Sequence, residues 1–123
     1  MPKFKNVLSE RPMRIALTMG LVSAFVAQLA GAECVATGCS GSRILQLYTE
    51  ANGNVYVQLS GTMSNLSCTL VSSTFVTLLP GGSRFKEIYA SLLAVQMSDR
   101  TLSVRIDTGS SGCTVNYINI EQP

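Results

Sequence analysis

Along residues 54–60 the side chains alternate: Val55, Val57 and Leu59 fall on one face, Tyr56, Gln58 and Ser60 on the other. Period two with one apolar face predicts a half-buried strand, with Tyr56 pointing outward. Residues 43–49 read as a strand before it, and the intervening Asn52-Gly53 is a hairpin signal, because both residues tolerate positive φ. Gly61 to Asn65 reads as a turn. Residues 68–79, rich in Thr, Val and Phe, predict a third strand, stopped by Pro80-Gly81-Gly82. The period then changes. In residues 83–98, Phe85, Ile88, Tyr89, Leu92, Leu93 and Val95 form one continuous helical face, while Lys86, Glu87 and Ser91 point away. Ser83 is the expected N-cap. Two more strands follow, at 101–106 and 113–120, across a Gly/Ser turn. Residues 37–42, Gly- and Ser-rich, read as a loop.

The string β-β-β-α-β-β is mainly β with one helix. It fits the five-stranded, partly open Greek-key barrel of the oligonucleotide/oligosaccharide-binding (OB) fold. A plain α+β sheet carrying one packed helix has the same string, and both remain open at this level.

The first 32 residues follow another pattern. Lys3, Lys5, Arg11 and Arg14 form a basic front, and residues 15–30 run apolar for 16 positions. Ala30-Gly31-Ala32 then presents small residues at the places a signal peptidase reads, so residues 1–32 are expected to be a cleaved signal peptide and 33–123 a single domain. Sixteen residues fall short of the roughly 20 that span a bilayer, so no membrane span is expected in the mature form. The expected location is periplasmic or secreted.

Cleavage changes the charge. The whole chain is +2, but residues 33–123 keep five cations (Arg43, Arg84, Lys86, Arg100, Arg105) against six anions (Glu33, Glu50, Glu87, Asp99, Asp107, Glu121). A net charge of −1 without a basic stripe argues against a nucleic-acid partner. All four cysteines, Cys34, Cys39, Cys68 and Cys113, lie in this part. An even count in a small exported domain reads as a disulfide framework with three possible connectivities. The pairing Cys34–Cys39 with Cys68–Cys113 is favoured over a zinc site, since the chain has no histidine and no C-x-x-C.

The same lack of histidine leaves Ser40, in Gly38-Cys39-Ser40-Gly41, without the usual base of a serine hydrolase. Asp107-Thr108-Gly109-Ser110 resembles the active-site loop of aspartic proteases, which need two such aspartates and hence a dimer here. Only 13 residues follow Ser110, too few for the rest of a lobe. A dimeric protease using Asp107 is a remote alternative, and a turn after a strand the plain one. The chain is expected not to be an enzyme, and no cofactor or metal is expected. Tyr48, Tyr56, Tyr89 and Tyr117 are candidate stacking platforms, with burial the commoner fate of tyrosine.

Phe85-Lys86-Glu87-Ile88 at the helix start and Val104-Arg105-Ile106 in the next strand, with the leader and the small disulfide-bonded domain, resemble the receptor-binding B subunits of subtilase-cytotoxin-type A–B toxins. The likeness spans roughly Ser40 to Ile106. The chain departs from that family in having no tryptophan, a shorter C-terminal region and differently placed cysteines. The resemblance implies an OB-like barrel, a ring of five copies, and a shallow sialoglycan pocket beside the first strand, where a serine at the position of Ser40 contacts the sugar. The expected site is therefore the loop edge of Ser40, Ser42 and Arg43, whose hydroxyls and guanidinium suit a carboxylate-bearing sugar or a protein receptor. The alternative is a structural or accessory envelope protein without a small-molecule ligand.

Overall fold

The computed structural model describes residues 31–122, so the leader expected over residues 1–32 lies almost wholly outside the described residues. Seven strands and one helix follow in the order β1 (Glu33–Val35), β2 (Gly38–Ser42), β3 (Ile44–Thr49), β4 (Val55–Leu59), β5 (Val76–Leu78), α1 (Phe85–Ser98), β6 (Leu102–Ile106) and β7 (Val115–Ile120). They form two antiparallel sheets, one ordered β1-β2-β6-β7 and the other β3-β4-β5. Among the described residues the fold is therefore mainly β with one α-helix, as the string of elements implied, but it has seven strands rather than five, and its sheets do not close into a barrel.

The strands expected from alternation are present. Val55, Val57 and Leu59 are buried, and with Val76, Leu78, Leu102, Val104 and Ile106 they build the core between the sheets. The helix begins within two residues of its expected start. Its N-cap is Arg84 rather than Ser83, and no side chain caps it. Leu92 and Val95 are fully buried, while Phe85, Ile88 and Tyr89 pack at the core margin. Asp99 ends the helix in the left-handed conformation, and its amide bonds the Val95 carbonyl.

Three expectations need correction. The Gly/Ser segment 37–42 is largely strand β2. Its composition carries little strand propensity, but it is paired on both sides, by β1 and by β6, and Cys34–Cys39 fastens directly opposed residues of β1 and β2. Tertiary pairing overrides local preference here. Second, the strand expected over 68–79 shrinks to β5. Residues 71–75 fold into a tight turn with Ser72 and Ser73 at positive φ, and Thr69 pairs with Ser111 of the β6–β7 loop. Cys68–Cys113 ties that segment down. Third, Tyr56 is buried, because the turn lays Phe75 over that face of β4. Tyr48, Tyr56 and Phe75 then form an aromatic cluster with ring centroids 5.0, 5.2 and 6.4 Å apart. Both disulfides are formed and no described cysteine is free, which removes the zinc alternative.

Two junctions bring the sheets together. β2 continues into β3 through Arg43 alone, whose carbonyl accepts from the Ser60 amide. On the other side, Thr77 of β5 and Thr114, just before β7, form a parallel bridge.

Candidate functional site

On β6, Leu102, Val104 and Ile106 face the core, so Ser103 and Arg105 face out. The pairing of β6 with β7 sets Tyr117 directly opposite Arg105, and β2 sets Gly38 opposite it on the other side. Gly38 lines a depression on this face. A Cβ there would overlap the Val104 carbonyl oxygen, so only glycine lets β2 lie against β6 at this point. Beside this contact lies a shallow hollow of about 160 Å³, rimmed by Val35, Thr37, Ser40, Ser103, Arg105 and Tyr117.

The rim has a consistent chemistry. The Arg105 guanidinium lies 5.8 Å from the centroid of the Tyr117 ring, within cation–π range. The ring is 48% exposed and offers an apolar face. Arg105 makes no ion pair among the described residues, so its donors remain available to an anion. Thr37, Ser40 and Ser103 place three hydroxyls around it.

Behind the rim, Glu121 fixes the wall. Both of its carboxylate oxygens accept from the Gly41 amide at 3.1 Å, and Ser103 Oγ donates to Oε2 at 2.6 Å. The Ser103 hydroxyl foremost, then the Gly41 amide and the Thr101 side chain, hold the Glu121 carboxyl below the usual range, against the opposing effect of partial burial. The clamp secures the bulge at Gly41, where β2 slips register against β6.

The three residues expected to form the site do not converge. Ser40 lies exposed on β2 and lines the hollow. Ser42 is fully buried, with Oγ donating to the Ser60 carbonyl at 3.1 Å. Arg43 sits beyond it, with Nη1 on Asp99 Oδ1 at 2.6 Å, the one ion pair among the described residues. Period two alone would put Ser40 and Ser42 on one face, but the bulge at Gly41, where β2 slips register, turns Ser42 inward, and Arg43 lies past the end of β2. Arg105 was not among the residues expected at the site, while Tyr117, a candidate stacking residue for which burial is the commoner expectation, is 48% exposed. Their signal was present in the period of 102–106 and in the hairpin that follows, which together place Tyr117 across from Arg105.

Asp107 lies in the β6–β7 turn. Its amide donates to the Thr114 carbonyl, its carbonyl accepts from Ser110, and Oδ1 accepts from the Asn116 amide group at 2.6 Å. Here the carboxylate braces a turn. Among the described residues no three His, Cys, Asp or Glu side chains come together as metal ligands, and no helix is long and apolar enough to cross a membrane. Comparison with protein-family models gives no match for this chain, and comparison with curated proteins gives none either.

Proposed function

We propose that this protein is an exported, non-enzymatic binding module that takes an acidic sugar in the hollow over Gly38 and works as an assembly of several copies, in the manner of a toxin B subunit. The observation that carries the reading is the Arg105–Tyr117 pair, set among hydroxyls over a glycine floor. A guanidinium binds a carboxylate bidentately, an aromatic ring covers the C–H face of a sugar, and hydroxyls meet its hydroxyls. Of the residues first nominated, Ser40 stays in this site, and Ser42 and Arg43 serve the framework.

A hollow of about 160 Å³ is smaller than the roughly 300–1,000 Å³ of drug-sized ligand pockets. It suits one terminal sugar ring and modest affinity, which repetition across copies would multiply. Export to the periplasm or beyond is supported by the two disulfides, which persist in oxidising compartments, and by the leader pattern of residues 1–32. An OB-like path is supported by the two junctions. The run β2–Arg43–β3 serves both sheets as one bent strand, and the Thr77–Thr114 bridge is the parallel contact needed to approach closure.

Saturation-transfer NMR of oxidised residues 33–123 with sialyllactose and with lactose tests the sugar site. Transfer to the acidic sugar is expected, abolished by Arg105→Ala, weakened by Tyr117→Ala and retained by Arg43→Ala. No transfer from either sugar would sink the glycan reading and leave the accessory envelope role. Transfer that survives Arg105→Ala would place the site elsewhere.

A further inference from the structure

Where the end of β5, the first turn of α1 and the start of β7 meet, the molecule leaves a groove of about 470 Å³. The topology makes it. The Thr77–Thr114 bridge brings β5 beside the chain entering β7, and residues 79–84 arch from β5 to α1 as a further wall. Leu78 and Val115, both buried, line the groove from the two sheets. Phe85 and Ile88, three residues apart on one helix face, line it from α1. The Phe85 ring stacks nearly parallel on Tyr89, with centroids 5.9 Å apart, so this wall is already set. Leu79, 46% exposed, adds apolar surface.

One charged side chain lines the groove, Arg84, and no carboxylate does. Arg84 is exposed and makes no ion pair among the described residues. It also borders a neighbouring depression with Glu87, Ser91 and Tyr117, which sets the cation at one end of the groove, between the two. The volume lies within the roughly 300–1,000 Å³ of small-molecule sites, which the hollow over Gly38 does not reach.

We infer that this groove is a second binding site, for a single fatty acid: an unbranched aliphatic chain lies along Leu78, Phe85, Ile88 and Val115, and its carboxylate meets the Arg84 guanidinium. The walls and the charge select that class together. A sugar would set its hydroxyls against apolar side chains that offer no partner. A cationic amphiphile would be repelled by Arg84, and a neutral one would leave the guanidinium without a counter-charge. A volume at the low end of the range fits one extended chain rather than a folded partner. No residue lines both this groove and the hollow over Gly38, so the inference stands or falls independently of the sugar.

Amide NMR of 15N-labelled, oxidised residues 33–123 tests it, with hexanoate, octanoate and decanoate titrated below their micelle concentrations and decanol as the uncharged control. Saturable shifts are expected at Leu79, Arg84, Ile88 and Val115. Affinity should rise by about twofold to fourfold per methylene, the worth of a CH2 leaving water, and level off once the groove is full. Arg84→Gln is expected to weaken decanoate about fivefold, as suits a charge pair still partly in water, and to leave decanol unchanged. Arg84→Lys should retain the preference for the acid, and Leu79→Ser should weaken both ligands. The dispersion of each spectrum reports the fold of each variant. No saturable shift with any of the acids overturns the proposal, as does a response centred on Arg105 and Tyr117. Decanoate binding indifferent to Arg84→Gln overturns the carboxylate assignment. Tighter binding of a short apolar peptide with a free C-terminal carboxylate would reassign the groove to a protein partner.

Discussion

Gly38 and Glu121 are the two single residues on which the candidate site depends most directly. At Gly38 a methyl group would overlap the Val104 carbonyl, and backbone on the neighbouring strand cannot swing aside as a side chain can. Gly38→Ala is therefore expected to cost about 1–3 kcal/mol, the range for forced overpacking, read as a lower thermal midpoint. It should also loosen β2 against β6 and weaken sugar binding in the same NMR experiment. Glu121 titrates from below the ordinary carboxylate range when folded. A carboxyl with a depressed folded pKa contributes stability above its unfolded pKa, and that contribution fades as pH falls through the folded value. Denaturant melts should thus show stability declining in acid, and Glu121→Gln should flatten that decline while lowering stability near neutrality. An acid limb of equal slope in the variant would show that the clamp is energetically idle.

At the scale of elements, legibility divided along a physical line. The helix and strands β3, β4, β6 and β7 each carry their own periodicity, so their positions could be read to within a residue or two. β1 and β2 carry none. Gly38-Cys39-Ser40-Gly41-Ser42 is a strand only because β6 lies on one side of it and a disulfide-fastened β1 on the other. Such pairing is long-range, and composition does not encode it locally. The error at 68–79 was of another kind. Ser72 and Ser73 lack the Asn-Gly signature of a turn with positive φ at both positions, yet adopt it, because the turn delivers Phe75 to Tyr48 and Tyr56. Part of the candidate site followed the same division. Ser40 lines the hollow as its position implied, Tyr117 is exposed where burial was the commoner expectation, Arg105 carried a visible period but no candidate role, and Ser42 and Arg43 part from Ser40 because the segment is a bulged strand rather than a loop.

For the molecule as a whole, the long-range staple is Cys68–Cys113, spanning 45 residues in sequence and joining the turn segment to the β6–β7 loop. Opening a loop of that length is worth about 4 kcal/mol in the chain-entropy account, against about 2 kcal/mol for one the size of Cys34–Cys39. Replacing Cys68 and Cys113 together by serine is expected to lower the denaturant midpoint more than replacing Cys34 and Cys39, and equal losses would show that strain or residual structure outweighs loop length. A domain as small as the described residues buries a modest share of its surface, so either loss is a large fraction of its stability. The Gly41 bulge has a further consequence. Gly31 lies beside Gly41 at one end of the described chain, and Glu121 grips the Gly41 amide at the other, so both ends meet at one point. A short linker could join them, and new ends opened at Gly81-Gly82, in the exposed loop before α1, would leave every strand intact. The domain is thereby suited to circular permutation, and to being inserted whole into a host loop.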